Sequence, residues 1–148
     1  MAVDVETSID IDVARDRVAD FASDPENAPG WYVNISTVVL ETPPPVAAGS
    51  RMAFVAHFLG RRIAYTYEVR ELVAGERFVM STAEGPFPME TTYTWSDTAA
   101  GGTRMTMRNR GEPSGFGHLA APVISRAMRR ANLKDLRALK GLLENATT

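Results

Sequence analysis

Two segments of the chain, 61–72 and 76–84, carry Tyr65, Tyr67, Thr82 and Glu84 at alternating positions that also hold Ile63, Val69, Phe78 and Met80. A carboxylate beside a phenol is a general base beside a hydrogen-bond donor. Glu84 could remove a proton next to a carbonyl while Tyr65 stabilises the enolate, and partial burial would raise the carboxyl pKa towards neutrality, where such a base works. A lone glutamate beside a tyrosine is equally compatible with a structural role. The pairing of Glu84 and Tyr65 as catalytic residues is therefore an expectation about position: both side chains must look into one enclosed space.

The elements that would position them follow from periodicity and turn chemistry. Residues 2–9 alternate as a first strand, with Val3, Val5, Thr7 and Ile9 on one face. Asp12 stands where an N-cap belongs, and Ala14, Val18 and Phe21 share one helical face after it. A second short helical turn is predicted at Asp24, Pro25, Glu26 and Asn27, ending at Pro29 and Gly30. Strands follow at 33–41, 50–58, 61–72, 76–84, 88–96 and 103–111, separated by turn sequences such as Leu59 with Gly60, Ala74 with Gly75, Pro86 to Pro88, and Gly101 with Gly102. From Ser114 or Gly115 to about Asn145 the period becomes helical, with Ser125, Met128, Asn132, Leu136, Leu139 and Leu143 on one stripe. Six strands joined by short turns form an antiparallel meander, and only the terminal helix is long enough to cover its concave face. The expected class is α+β, with residues 1–148 as a single domain.

Register can be worked outward from the turns, because residues opposite each other in an antiparallel pair share a face. A turn at Leu59 and Gly60 sets Phe54 against Tyr65 and Met52 against Tyr67. A turn at Ala74 and Gly75 sets Val69 against Met80, Tyr67 against Thr82 and Tyr65 against Glu84. Turning at Pro86 and Phe87 pairs Glu84 with Met89, Thr82 with Thr91, Met80 with Tyr93 and Phe78 with Trp95; the last turn then sets Tyr93 against Met105, Thr91 against Met107 and Met89 against Asn109. The shared face is mostly apolar, yet it collects Tyr65, Tyr67, Thr82, Glu84, Thr91 and Asn109 in one region. An unpaired buried hydroxyl costs about 1–3 kcal/mol, and a charge more, so a sealed core would not gather six such groups without partners. They are expected to line a cavity between sheet and helix, together with Phe54, Met80, Met89, Tyr93, Trp95, Met107 and, from the helix, Met128; the methionines give it an adaptable wall. The alternative is that these groups satisfy one another in a filled core, or that Glu84 lies in solvent at the sheet edge. Trp31, with Tyr32, and His118, in a glycine-rich approach to the helix, are candidates for the rim; the glycines at 111, 115 and 117 suit either a gate or a plain connection. His57 falls opposite Arg62 on the outer face.

Composition narrows the classes. With 45% apolar and 23% charged residues the chain reads as an ordinary soluble globular domain. It has no cysteine, which excludes disulfides and thiol chemistry, and its two histidines leave little for a metal; neither a cofactor nor a metal is expected. No basic, apolar leader and no run near the ~18 apolar residues of a membrane span is present, so a cytoplasmic location is expected. Net charge is −2, with nine acids against two arginines in residues 1–50. Arg126, Arg130, Lys134 and Arg137 share one side of the last helix: either its solvated back or a surface for an acidic protein partner. Nucleic acid is not expected, because the chain is slightly acidic and no aromatic residues interleave this stripe. Monomer and dimer remain open. No phosphate loop or Ser-His-Asp set occurs.

The order of elements, together with "SDPENAPGW", "YEVRELVAGERFVM", "GGTRMTMRNRGEP" and "LKDLRALKGLLE", resembles the polyketide cyclase/dehydrase and lipid-transport group of the START and Bet v 1-like superfamily, from about Val3 to Leu143. The resemblance implies a helix-grip fold: a seven-stranded antiparallel sheet curled around the C-terminal helix, two short helices after the first strand, and a deep hydrophobic cavity. It implies small apolar ligands. It carries over no catalytic motif. If the cavity is catalytic, the pair Glu84 and Tyr65 would serve aldol-type cyclisation or dehydration of a polyketide-like or aromatic ligand. The rival is a non-catalytic carrier of a lipid or quinone-like molecule, and a further alternative is an interaction module using the basic helix.

Overall fold

A computed structural model describes residues 2–116 and 119–146. Strand β1 (Val3–Ile11) is followed by helix α1 (Arg15–Ala22), a 3-10 turn (Pro25–Asn27), the short helix α2 (Ala28–Trp31), strands β2 (Ile35–Leu40), β3 (Arg51–Phe58), β4 (Arg61–Val73), β5 (Arg77–Glu84), β6 (Met89–Asp97) and β7 (Thr103–Gly111), and helix α3 (Ala121–Asn145). The strands form one seven-stranded sheet in the order β1-β7-β6-β5-β4-β3-β2, antiparallel throughout. This is the expected α+β helix-grip arrangement.

Alternation sets the inner face. In β1 Val3, Val5 and Thr7 are buried and their neighbours exposed, and the same period places Met52, Phe54, Val69, Phe78, Tyr93, Met105 and Met107 in the core. Helix α3 adds Leu136, Leu139 and Leu143. It is tied to β1 by Arg129 Nη1 donating to the Glu6 carbonyl (3.0 Å) and Lys140 Nζ to the Asp10 carbonyl (2.8 Å). Among the described residues no helix is long and apolar enough to cross a membrane.

Two helix starts differ from expectation. Helix α1 begins at Arg15 with Ala14 at its cap and no side-chain cap bond; the Asp12 N–H donates instead to Glu144 Oε2 (2.8 Å), which ties the start of this segment to α3. The second short helical turn starts as expected, with Asp24 accepting from the Glu26 N–H, but the chain stays helical through Pro29 and Gly30 to Trp31. Helix α3 begins at Ala121, with Pro122 in its first turn, and not near Ser114. Gly115 has φ +84°, a left-handed conformation that cannot enter a right-handed helix.

The β3–β4 register is the expected one, including Phe54 opposite Tyr65 and Met52 opposite Tyr67. In β4–β5, Val69 faces Met80 and Tyr67 faces Thr82, but the ladder then slips: Thr66 pairs with Glu84. One extra residue on β5 between Thr82 and Glu84 is a bulge, and it turns Glu84 to the face opposite Tyr65 and Tyr67. The next two hairpins are offset by two residues from the expected register. Phe78 faces Tyr93 and Met80 faces Thr91, while Trp95 faces Met105, Tyr93 faces Met107 and Thr91 faces Asn109. An even offset keeps every side chain on its face, so the inner set survives apart from Glu84.

Candidate functional site

Between the inner face of β3–β6, the segment around α2 and the wall of α3 lies a cavity of about 150 Å³. Phe54 and Tyr65 reach it from adjacent strands with ring centroids 5.4 Å apart, and Tyr67 stands 4.9 Å from Tyr65. Met80, Thr82 and Met89 line it from β5 and β6, Thr91, Tyr93 and Asn109 from β6 and β7, and Met128 from α3. Tyr65 and Tyr67 sit on the buried face of β4 because that face looks into a hollow.

The polar groups fall into three sets. The first is a chain across three strands: Tyr67 Oη donates to Thr91 Oγ1 (2.9 Å), whose own hydrogen goes to Asn109 Oδ1 (2.5 Å). In the second, the Tyr32 and Tyr93 hydroxyls bond to each other. The third is on α3, where Asp135 Oδ1 accepts the Val33 N–H (2.9 Å) and Asn132, one turn earlier, has a buried Nδ2 with no partner among the described residues. Thr82 Oγ1 is occupied locally, accepting from the Met89 N–H (2.9 Å) and donating to its carbonyl (3.1 Å). The Tyr65 hydroxyl has no hydrogen-bond partner among the described residues.

Burial is the largest cause of every shift in this cavity. It pushes Asp135 up to about 7 against the lowering effect of the Val33 N–H. Tyr32, Tyr65 and Tyr93 rise well above the ordinary phenol range, each raised further by the Asp135 charge. Tyr67 rises to about 12 despite its bond to Thr91. The phenols therefore stay protonated and serve as donors, while the carboxyl group titrates near neutral pH.

The expected site is corrected at four positions. Glu84 is exposed; the bulge removes it, and Gly85 takes the place beside Tyr65, where a Cβ would lie 3.0 Å from Tyr65 Cβ. Trp31, Trp95 and Met107 are buried in the filled core and do not line the cavity. Trp31 packs instead against Tyr32, with ring centroids 4.3 Å apart, and Tyr32 supplies the wall. His118 lies outside the described residues. His57 is exposed on β3 and borders the cavity.

Asp135 escapes the reading from sequence, and Tyr32 enters it only as a companion of Trp31. Asp135 is three residues beyond Asn132 and seven beyond Met128, on the stripe that faces the sheet. That spacing was the available signal; its neighbours Lys134 and Arg137, both exposed, masked it. The basic stripe itself is exposed, and Arg126, Arg130 and Lys134 border a shallow groove with Val33, Leu59 and Val123. Among the described residues no three histidine or carboxylate side chains gather as a metal-ligand set.

A long helix gripped by a curled antiparallel sheet, with an apolar and partly polar hollow between them, is a helix-grip fold. The chain belongs to the family described as polyketide cyclase / dehydrase and lipid transport, which it matches over residues 2–144. Its fold is similar to that of TTHA0849 from Thermus thermophilus (21% identity, covering 98% of this chain and 99% of that one, TM-score 0.84). It is also similar to a START superfamily protein from Mycobacterium smegmatis (14%, 97% and 98%, TM-score 0.83). A third similar structure is the Zhui aromatase/cyclase from Streptomyces sp. R1128 (14%, 100% and 97%, TM-score 0.82). Comparison with curated proteins finds no matching relative.

Proposed function

We propose that the protein binds one small hydrophobic molecule, aromatic or polyketide-like, in the cavity between sheet and α3. The observation that supports this reading is a hollow of about 150 Å³ whose apolar wall is interrupted by a few polar side chains. A dry void of that size in another protein accommodates benzene. One ring therefore enters the cavity as it stands, and a second requires Met80, Met89 or Met128 to move, which unbranched thioether side chains do readily. Calorimetric titration with acetophenone tests the reading. Saturable one-to-one binding is expected, and Ala56→Phe, which puts a ring on the inner face of β3, should abolish it without unfolding the protein. Binding unchanged by Ala56→Phe would place the ligand elsewhere and overturn the proposal.

Asp135 supports a chemical role for the same cavity, in the place first given to Glu84. Its carboxylate would take a proton from the carbon next to a bound carbonyl; the C–H electron pair becomes the enolate double bond, and Tyr65 would donate to the enolate oxygen. Attack of that carbon on a second carbonyl closes a ring, and loss of water follows from the same acid and base. The apolar wall by itself favours the second reading, a carrier of a lipid or quinone-like molecule. Exchange of solvent deuterium into the acetophenone methyl group separates the two: an enzyme accelerates it and Asp135→Asn stops it, whereas a carrier leaves the buffer rate unchanged.

A further inference from the structure

The α3 wall of the cavity carries two buried polar side chains one turn apart. Asn132 is 5% exposed and Asp135 2%, and residues at this spacing are neighbours on a helix surface, with Cβ atoms about 5–6 Å apart. Asn132 Nδ2 is buried without a partner among the described residues, a donor that costs about 1–3 kcal/mol unless something accepts from it. Asp135 spends one oxygen on the Val33 N–H; among the described residues no lysine or arginine pairs with it. Both side chains line the cavity. Of the nearby hydroxyls, Tyr32 is committed to Tyr93 and Tyr67 through Thr91 to Asn109, and Tyr65 remains a further donor on the sheet side. One unfilled donor and one part-filled anionic acceptor thus stand side by side in an otherwise apolar wall.

We propose that Asn132 and Asp135 act as a donor–acceptor pair that selects, among small aromatic ligands, those bearing both a carbonyl oxygen and a hydroxyl group: the carbonyl accepts from Asn132 Nδ2 and the hydroxyl donates to the Asp135 carboxylate. This rests on the ligand-binding reading of the cavity and names the class of ligand, a hydroxy-substituted aryl ketone. A methyl ether in place of the hydroxyl leaves the carboxylate buried against a group that cannot donate, and a hydrocarbon leaves both residues unfilled.

The groups facing Asp135 from the packed elements are the Tyr32 phenol and Val33 N–H at the end of α2, Tyr65 on β4 and Tyr93 on β6; on α3 itself Lys134 and Arg137 point to solvent. All three phenols stay neutral through pH 8, so among these facing groups the carboxyl group is the one that changes charge. With Asp135 titrating at about 7, the ionised fraction falls roughly tenfold from pH 8 to pH 6, and affinity for the hydroxy ketone should fall by the same factor.

The test is calorimetric or NMR titration with ethylbenzene, acetophenone, meta-methoxyacetophenone and meta-hydroxyacetophenone. The wild type should bind the hydroxy ketone at least tenfold more tightly than the methyl ether at pH 8, and acetophenone more tightly than ethylbenzene. Asn132→Leu should remove the preference for acetophenone over ethylbenzene while ethylbenzene still binds. Asp135→Asn, which keeps an acceptor for Val33 and turns an amide N–H to the ligand, should remove the preference for hydroxyl over methoxy and the pH dependence with it. Equal affinity for all four probes would overturn the selectivity and leave the ligand cavity standing. Binding of none of them would overturn the cavity reading as well. Selectivity that survives both substitutions would assign recognition to other residues and overturn the proposal.

Discussion

Replacing Asp135 by asparagine should change the way stability depends on pH. In the folded chain burial raises the carboxyl group from 3.8 to about 7, while in the unfolded chain it titrates near 3.8. Below pH ~4 both states hold the proton and the group contributes no pH dependence. Between about pH 4 and 7 the unfolded state gives up its proton and the folded state keeps it, so the wild type loses stability as pH rises; above 7 the loss is complete and level. Three pH units at 1.36 kcal/mol each give a loss on the order of 4 kcal/mol. An asparagine side chain at this position does not titrate, and its amide oxygen can still accept the Val33 N–H. The carboxylates held low by surface partners, Asp4 by Arg108 and Asp10 by Arg104, act in the opposite sense, their contribution being lost as pH falls. They are common to both proteins and cancel in the difference. Urea unfolding followed by tryptophan fluorescence at pH 4 to 8 gives that difference. The stability of Asp135→Asn minus that of wild type should grow by about 4 kcal/mol across the range, whatever fixed cost the buried amide adds. Parallel profiles would show instead that Asp135 titrates like a solvated carboxylate.

Further outcomes are expected elsewhere. Glu84→Gln should change stability by less than about 0.5 kcal/mol and leave acetophenone affinity unchanged, because Glu84 is exposed and turned away from the cavity; chemical denaturation and calorimetry check both. Thr91→Val removes the hub between Tyr67 and Asn109 and should cost about 1–3 kcal/mol in urea unfolding. Combined with Tyr67→Phe the loss should be smaller than the sum of the two, since the substitutions break one shared bond. Leu139→Ala, in the fully buried stripe of α3, should cost about 2–5 kcal/mol by the same measurement.

Strand positions, sheet class and the inner face were legible because period-two alternation survives any even shift in register: Phe54, Met80 and Tyr93 face inward whether or not the hairpin partners are correctly numbered. What alternation cannot reveal is an odd insertion. The bulge on β5 leaves no mark in composition, and it alone moves Glu84 to solvent while Tyr65 stays in the cavity. Whether an inward side chain fills or lines was equally hidden. Trp95 and Met107 share a face with Thr91 and Met89, and only their distance along the strands from the hollow separates core from wall. Asp135 was obscured for a different reason: a carboxylate between Lys134 and Arg137 reads as solvated helix surface, although its spacing from Met128 and Asn132 places it inward.

If a small apolar molecule enters the hollow between sheet and α3, the methionines report on it directly. Met80, Met89 and Met128 line the cavity, whereas Met52, Met105 and Met107 are packed in the core outside its wall. With methyl-labelled methionine, titration of acetophenone should shift the first three methyl resonances along one saturable curve and leave the other three nearly still. Unmoved signals at Met80, Met89 and Met128 under saturating ligand, or equal shifts at all six, would contradict binding in the hollow.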